Sequence, residues 1–365
     1  MTEVLLKELN SSDINWLQAT GQPQELAAGT QLIQAGQPLD CFYILIEGNL
    51  ASTIPQVDNN PLVRAFAALD DTQTTGVGVE IARLSSGEII GETSLINLRP
   101  PATTVTAITK ARVLSVPLLQ LETKLEADIG FAARLYRAIA ILLADKLATI
   151  IARLGQNKLA PDTAIKDVLY VFGELNDSDL DWLIANGDRL TIPPKTTLIE
   201  QGSTVDALQI LLNGQISLTV SEDERNPLSR IFAAIEDRSM GTEIARLSKG
   251  DTIGETAFID GRLPATTATT TKETTTLSIS RSLLSDKLQQ DVGFAARFYR
   301  TISALSADRL QGMLNRLAHS RRMYHKGQSL NESVEYADEL NGVALDRIAL
   351  AGKRFDWMLE QSKAS

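Results

Sequence analysis

The sequence has few of the residues that build disulfides, metal centres or nucleophilic active sites. It contains one cysteine, Cys41, and two histidines, His319 and His325, among 365 residues. A single cysteine excludes an internal disulfide, and the histidines do not fall in a metal-ligand spacing. No nucleophile motif, Walker loop or complete dinucleotide fingerprint occurs. We therefore expect no metal, no cofactor and no enzymatic activity.

Long apolar runs and an excess of positive charge are also missing. No stretch of about 18 apolar residues occurs, so the sequence predicts no membrane-spanning helix. The N-terminus has neither a basic leader nor a signal-type apolar core, which favours a cytoplasmic location. The formal net charge is −10. This charge opposes nucleic-acid binding, because phosphate contacts require Lys and Arg.

Two long internal repeats account for most of the chain. "KELNSSDINWL" at Lys7 matches "GELNDSDLDWL" at Gly173, and later segments match at a slightly shorter offset. Two repeats of this length are typical of two tandem domains rather than a solenoid. We predict a first domain at 1–157, a second at 158–318 and a C-terminal helical tail at 319–365.

The same order of secondary-structure signals occurs in each repeat. A short helix comes first, for which we expect Ser11, Ser12 or Asp13 as the N-cap in repeat one and Ser178 or Asp179 in repeat two. Short stretches rich in Thr, Val and Ile follow, separated by glycines, and these predict β-strands. A long amphipathic helix closes the repeat. This order predicts an α+β fold of two β-rolls with flanking helices.

One segment is repeated almost word for word. It reads "EIARLSSGEIIGETSLINLRPPATTVTA" from Glu80 and "EIARLSKGDTIGETAFIDGRLPATTATT" from Glu243. A glycine and a carboxylate followed by a Pro-Ala-Thr-Thr segment suggest a site for a small anionic ligand.

In context, this segment resembles the phosphate-binding cassette of the cyclic nucleotide-binding domain family. "LIQAGQPLDCFYILIEGNL" is similar to the opening strands of that family, and the long closing helix also matches. The resemblance spans roughly residues 8–154 and 174–317. It implies two tandem jelly-roll-like domains with cAMP or another cyclic nucleotide as ligand. Ligand binding in this family repositions the closing helix and alters a protein–protein contact.

The resemblance also implies roles for particular residues, which we call the cassette residues. The Glu accepts the ribose 2′-hydroxyl, and the start of the following short helix attracts the cyclic phosphate. The candidates in repeat one are Gly91, Glu92, Thr93, Ser94, Arg99, Ala102, Thr103 and Thr104. The candidates in repeat two are Gly254, Glu255, Thr256, Ala257, Arg262, Ala265, Thr266 and Thr267.

Both repeats depart from the family pattern at the arginine that clamps the phosphate. That position holds Pro101 in repeat one and Pro264 in repeat two, and proline has no guanidinium. An arginine occurs two positions earlier in each copy, Arg99 and Arg262. A charge-assisted contact contributes about 1.5–3 kcal/mol, so its loss weakens a nucleotide site by roughly 10- to 100-fold.

Each candidate also has a purely structural interpretation. Glu92 and Glu255 suit a cap at a helix start, Arg99 and Arg262 suit exposed turns, and the threonines suit ordinary strands. For Arg83 and Arg246 we favour solvent-facing strand positions. For Tyr136 and Tyr299, on the closing helices, we favour packing in the core.

Two further features leave alternatives open. "NPLVRAFAALDD" at Asn60 and "NPLSRIFAAIED" at Asn226 read as helix starts that either cover a pocket or contact a partner. "SLNE" at Ser329 is a capping-box pattern before a helix with an apolar face at Leu345, Ile348, Phe355 and Leu359. We favour docking of this tail helix on the chain's own repeats, with oligomerisation or partner binding as the alternative.

The sequence thus supports two functional hypotheses. The first is a non-enzymatic regulatory sensor that couples a cyclic nucleotide to helix movement and protein contacts. The second is a structural or adaptor protein whose cassettes no longer take a nucleotide.

Overall fold

The computed structural model of the chain describes residues 2–54, 79–97, 100–154, 172–220, 241–319 and 342–364. Arg99, both "NPL" segments and the "SLNE" capping box lie outside these residues. The chain divides into two compact units. One comprises Met1–Leu142 and Ala307–Asn341, and the other comprises Leu143–Ser306 and Gly342–Ser365. The domain boundaries predicted from the repeats stay predictions.

Repeat one is a β-roll made of two four-stranded antiparallel sheets. Their strand orders are β1-β8-β3-β6 and β2-β7-β4-β5. The strands are β1 (Gln22–Leu26), β2 (Gln31–Ile33), β3 (Cys41–Glu47), β4 (Leu50–Ile54), β5 (Val79–Leu84), β6 (Ile89–Ile90), β7 (Thr104–Ala107) and β8 (Ala111–Pro117). The helices are α1 (Thr2–Glu8), α2 (Ser11–Thr20), α3 (Glu92–Asn97), α4 (Leu118–Ala127) and α5 (Ile129–Leu154).

Repeat two has the same architecture, with strand orders β9-β16-β11-β14 and β10-β15-β12-β13. The strands are β9 (Asp188–Ile192), β10 (Thr197–Ile199), β11 (Ala207–Asn213), β12 (Ile216–Val220), β13 (Thr242–Leu247), β14 (Thr252–Ile253), β15 (Thr267–Thr270) and β16 (Thr274–Ser280). The helices are α6 (Asp177–Asn186), α7 (Ala257–Asp260), α8 (Arg281–Gln290) and α9 (Val292–His319), followed by the tail helix α10 (Gly342–Ala364). The predicted α+β fold of two rolls is confirmed.

Alternation along the strands places one face of each sheet inside its roll. In repeat one the buried interior includes Leu45, Leu50, Val105 and Val113. In repeat two the equivalent cluster includes Leu211, Ile216 and Ala268. The strand register is irregular at equivalent places in both rolls, such as Leu45/Glu47 and Leu211/Asn213. The duplication therefore extends to the irregularities of the sheets.

The predicted N-caps of α2 and α6 are wrong by a few residues. Asn10 caps α2, because its side-chain oxygen accepts a hydrogen bond from the Asp13 N–H at 2.9 Å. Asn176 caps α6 in the same way, with Asp179 at the third helical position. Each aspartate completes a reciprocal capping box. Asparagine is as good an N-cap as serine or aspartate, and it occurs here one to three residues before the predicted N-caps.

Candidate functional site

Each cassette begins at a glycine that no other residue replaces without strain. Gly91 has φ +90° and Gly254 has φ +86°, in the left-handed region that favours glycine. A Cβ on Gly254 would also lie 2.8 Å from the Ala207 carbonyl oxygen. The glycine therefore sets the direction in which the cassette leaves β6 or β14.

The glutamate that follows is buried in both repeats. Glu92 and Glu255 are each 5% exposed. Glu255 contributes to the lining of a small, mostly apolar cavity that includes Ile210 of β11 and both Phe298 and Thr301 of α9. The second cassette glutamate thus lines the same cavity as residues of the closing helix of its own repeat.

The end of each cassette is hydrogen-bonded to the turn that follows the second strand of its roll. The Pro101 carbonyl accepts from the Gly36 N–H at 2.8 Å, and the Pro264 carbonyl accepts from the Gly202 N–H at 3.0 Å. A carbonyl at this position makes the bond whatever the side chain is. Proline at the family's arginine position is therefore compatible with an intact cassette backbone.

The terminal threonines make the same connection through their side chains. Thr104 Oγ1 accepts from the Ala35 N–H at 3.2 Å, and Thr267 Oγ1 accepts from the Gln201 N–H at 3.1 Å. Each hydroxyl thus satisfies a loop amide. This contact supports the structural interpretation of these two residues.

Arg262 is held by two carboxylates. Its Nε and Nη2 donate to Asp260 at 2.9 and 2.7 Å, and its Nη1 donates to Asp145 Oδ1 at 3.0 Å. The side chain is 18% exposed, which does not fit the alternative interpretation of Arg262 as an exposed turn arginine. Burial alone lowers the pKa of Arg262, but the hydrogen bonds and charges of Asp260 and Asp145 outweigh it and raise the pKa above its ordinary value.

The other candidates differ in burial. Ser94 and Ala257 are buried. Thr93, Ala102, Thr103, Thr256 and Thr266 are half-buried, and Ala265 is exposed. Thr256 makes no side-chain cap hydrogen bond to α7. Their roles toward a ligand stay predictions.

The second cassette is in direct contact with its closing helix. The ring of Phe258, in α7, meets the ring of Phe298, in α9, edge-on with centroids 6.5 Å apart. Arg281, at the start of α8, donates to the Ala257 carbonyl at 3.3 Å and to the Val205 carbonyl at 3.1 Å. The cassette helix α7 is therefore in direct contact with α9 and with the start of α8.

Sequence reasoning missed a duplicated ion pair that joins α2 to the closing helix α5 in repeat one and α6 to the closing helix α9 in repeat two. In repeat one, Arg134 donates to both oxygens of Asp13 at 2.6 and 2.9 Å. In repeat two, Arg297 donates to Asp179 at 2.6 and 2.8 Å. Both aspartates are almost fully buried. The feature of the sequence that could have predicted these pairs is the recurrence of "SD" and "GFAAR" at equivalent positions of the two repeats.

The strand arginines and helix tyrosines follow the favoured interpretations. The Arg83 side chain is 66% exposed and pairs with Glu80, while Arg246 is 53% exposed and pairs with Glu243. Tyr136 is 8% exposed. Tyr299 is half-buried, and its ring lies 6.0 Å from that of Phe298.

The tail helix α10 docks on the second repeat, as we favoured. The rings of Phe355 and Phe172 meet edge-on at 5.0 Å. Arg354 donates to the Leu175 carbonyl at 2.7 Å and pairs with Asp177 at 2.8 Å. Further along α10, the Ser362 carbonyl accepts from Arg189 at 2.9 Å.

The described residues contain neither a metal-binding cluster nor a membrane-spanning helix. No group of three or more His, Cys, Asp or Glu side chains in this part of the chain is arranged to hold a metal ion. No helix within the described ranges is long and apolar enough to cross a membrane.

The duplicated rolls, the Gly-Glu cassettes and the closing helices define a recognised class of domain. The sequence model of the family described as "cyclic nucleotide-binding domain" matches residues 23–128 and 189–291, more than half of the chain. The chain therefore belongs to the cyclic nucleotide-binding domain family, with two such domains in tandem. No curated protein matches it significantly.

Solved structures with similarity to the chain include regulatory domains of protein kinase A. The regulatory domain of Toxoplasma gondii PKA, co-crystallised with cAMP, is 18% identical, covering 80% of this chain and 89% of that chain with a TM-score of 0.27. The regulatory subunit of a cAMP-independent protein kinase A from Trypanosoma cruzi, bound to guanosine, is 18% identical, covering 80% and 81%, with a TM-score of 0.27. The N-terminal domain of a transcriptional regulator from Streptomyces coelicolor A3(2) is 25% identical, covering 39% and 87%, with a TM-score of 0.31.

Proposed function

We propose that this chain is a non-enzymatic regulatory protein whose domains transmit the state of their cassettes to their closing helices. The observation that carries the proposal is the contact between the second cassette and α9. Glu255 lines the same cavity as Phe298, and the ring of Phe258 packs edge-on against the ring of Phe298. A ligand that reorganises this cassette changes the surface on which the closing helix packs.

The candidate ligand is cAMP or another cyclic nucleotide, by analogy with the family. The retained Gly-Glu pairs support it, since a carboxylate suits a ribose hydroxyl. A ligand shifts the closing helix only if it binds one helix position more tightly than the other. The output is then a protein partner or a second copy of the chain that recognises one helix position.

A second candidate function is that of an adaptor whose cassettes take no nucleotide. The observation that favours it is the double ion pair of Arg262. The guanidinium faces Asp260 and Asp145, so one cation faces two anions. A cyclic phosphate that binds this guanidinium has to displace a carboxylate that already accepts hydrogen bonds from it, and proline offers no replacement guanidinium.

Thermal melting of the full chain with cAMP, cGMP and cyclic dinucleotides separates the two functions. A ligand that binds only the folded protein stabilises it by about 2.7 kcal/mol at a hundredfold excess over Kd. Stabilisation by any of them supports the sensor, and none at millimolar concentration leaves the adaptor.

A paired substitution then tests the site. Glu92→Ala combined with Glu255→Ala should abolish any ligand-induced shift. The matched control is Glu126→Ala combined with Glu273→Ala, which alters two exposed glutamates and should keep the shift. Persistence of the shift in the first variant would mean that the ligand occupies another pocket.

A further inference from the structure

Asp260 holds Arg262 in one orientation. One oxygen of Asp260 accepts both the Arg262 N–H at 3.1 Å and Nε at 2.9 Å, and the other oxygen accepts Nη2 at 2.7 Å. A planar guanidinium bound on two of its nitrogens is fixed in direction. The remaining nitrogen, Nη1, is the one that donates to Asp145.

Asp145 comes from a different repeat of the sequence. It lies on α5, the closing helix of repeat one, in the part of that helix that belongs to the same compact unit as repeat two. The sequence has Asp308 and Arg99 at the equivalent positions of the other repeat. Both members of the pair are therefore duplicated.

We propose that Asp145 is an internal anionic ligand of the second cassette, through which the closing helix of repeat one sets the state of that cassette. The carboxylate supplies an anion within the chain to the arginine that lies two positions before Pro264. Asp260 fixes the orientation of the Arg262 guanidinium. Asp145 accepts the hydrogen bond that Nη1 donates in this orientation. This inference deepens the proposed function by naming what the second cassette responds to.

Energetic coupling between two sites is reciprocal, so the proposal predicts effects in both directions. Arg262→Gln should speed amide hydrogen exchange in residues 143–154 of α5. Asp145→Asn should speed it in residues 254–262 of the cassette. For a half-exposed pair of charges we expect each acceleration to be about threefold to tenfold, and the double variant should exchange no faster than the faster single variant.

Two further variants control the experiment. Arg246→Gln removes an arginine of the same repeat whose partner, Glu243, is three residues away, and it should leave residues 143–154 unchanged. Arg262→Lys keeps the charge but not the planar fork, and its exchange rates should be intermediate. Effects confined to the substituted segment, or additive in the double variant, would overturn the proposal.

No nucleotide is added in this experiment. If the hydrogen-exchange effects are not observed, the thermal-melting test of the proposed function is therefore unaffected. Equally, if no nucleotide stabilises the protein, the hydrogen-exchange test of the Arg262–Asp145 coupling is unaffected.

Discussion

Proline at the family's phosphate-clamping position is the residue that we propose most limits nucleotide binding. The Pro264 carbonyl accepts its hydrogen bond from Gly202 independently of the side chain. The ring is only half-buried, so a longer side chain fits there with little disruption. Pro101, in contrast, is buried.

Pro264→Arg should therefore increase the affinity for cAMP by roughly 10- to 100-fold, the value of one charge-assisted contact. Isothermal titration calorimetry measures the change. The control is Pro264→Gln, which removes the proline and adds a polar side chain without charge. Equal affinities in the two variants would contradict the role given to this position.

The buried ion pair of each repeat predicts a loss of stability when it is broken. Arg297→Ala leaves Asp179, 2% exposed, without its bidentate partner. We expect a loss of about 2–4 kcal/mol in the free energy of unfolding, measured by urea denaturation followed by tryptophan fluorescence. Arg246→Ala, at an exposed pair, should cost less than about 1 kcal/mol. Similar losses in the two variants would show that the buried ion pair contributes no more to the free energy of unfolding than the exposed one.

At the scale of elements, the two closing helices have the same capping contacts at their N-termini. Asp128 accepts from the Phe131 N–H at 2.9 Å and from Lys124 Nζ, and Asp291 accepts from the Phe294 N–H at 2.8 Å and from Lys287 Nζ. An acceptor at this position satisfies a free amide and interacts favourably with the helix dipole. The preceding helix and the closing helix are thereby joined at their turn.

These caps predict a pH dependence of stability. The lysine hydrogen bond, followed by the backbone hydrogen bond, lowers the pKa of Asp128 and of Asp291 below the usual value of 3.8. Because the folded pKa lies below the unfolded one, the stabilisation is full above about pH 5. It declines near the usual aspartate pKa and is lost below the lowered folded value.

The test is the double variant Asp128→Asn with Asp291→Asn. Asparagine keeps the cap but loses the charge, so we expect a loss of about 1 kcal/mol at pH 7. Thermal melting between pH 7 and pH 2.5 should show the difference from the unsubstituted protein shrinking toward zero. A difference that persists unchanged at the lowest pH would exclude the charge as its cause.

At the scale of the whole molecule, the two repeats are alike in fold but not in surroundings. Phe172 of repeat two is fully buried beneath Phe355 of the tail helix, while Leu6, its counterpart in repeat one, is 63% exposed. The tail helix is therefore a specific addition to the second repeat.

Phe355→Ala should destabilise repeat two selectively. Loss of a buried phenylalanine costs about 3–5 kcal/mol. We expect Trp182, on α6, to change its fluorescence at lower urea concentration, with little change for Trp16, on α2; single-tryptophan variants separate the two signals. Leu350→Ala, on the same helix at a position 45% exposed, is the matched control. Equal shifts of both reporters would mean that the tail supports the whole chain rather than one repeat.

The sequence by itself determined the duplication, the two β-rolls and the family, because repeated strands, glycine-marked turns and helix periodicity are local patterns. It did not predict the short strand β1, which has a weak local signal of its own, or the helix α4, which directly precedes the closing helix. Nor did it predict the Asn10 and Asn176 caps, because several neighbouring residues were acceptable caps. Only the tertiary structure decided which charges meet. The pairs of Arg134 with Asp13 and of Arg262 with Asp145 join residues more than a hundred positions apart, and sequence spacing carries no information about partners that only packing brings together.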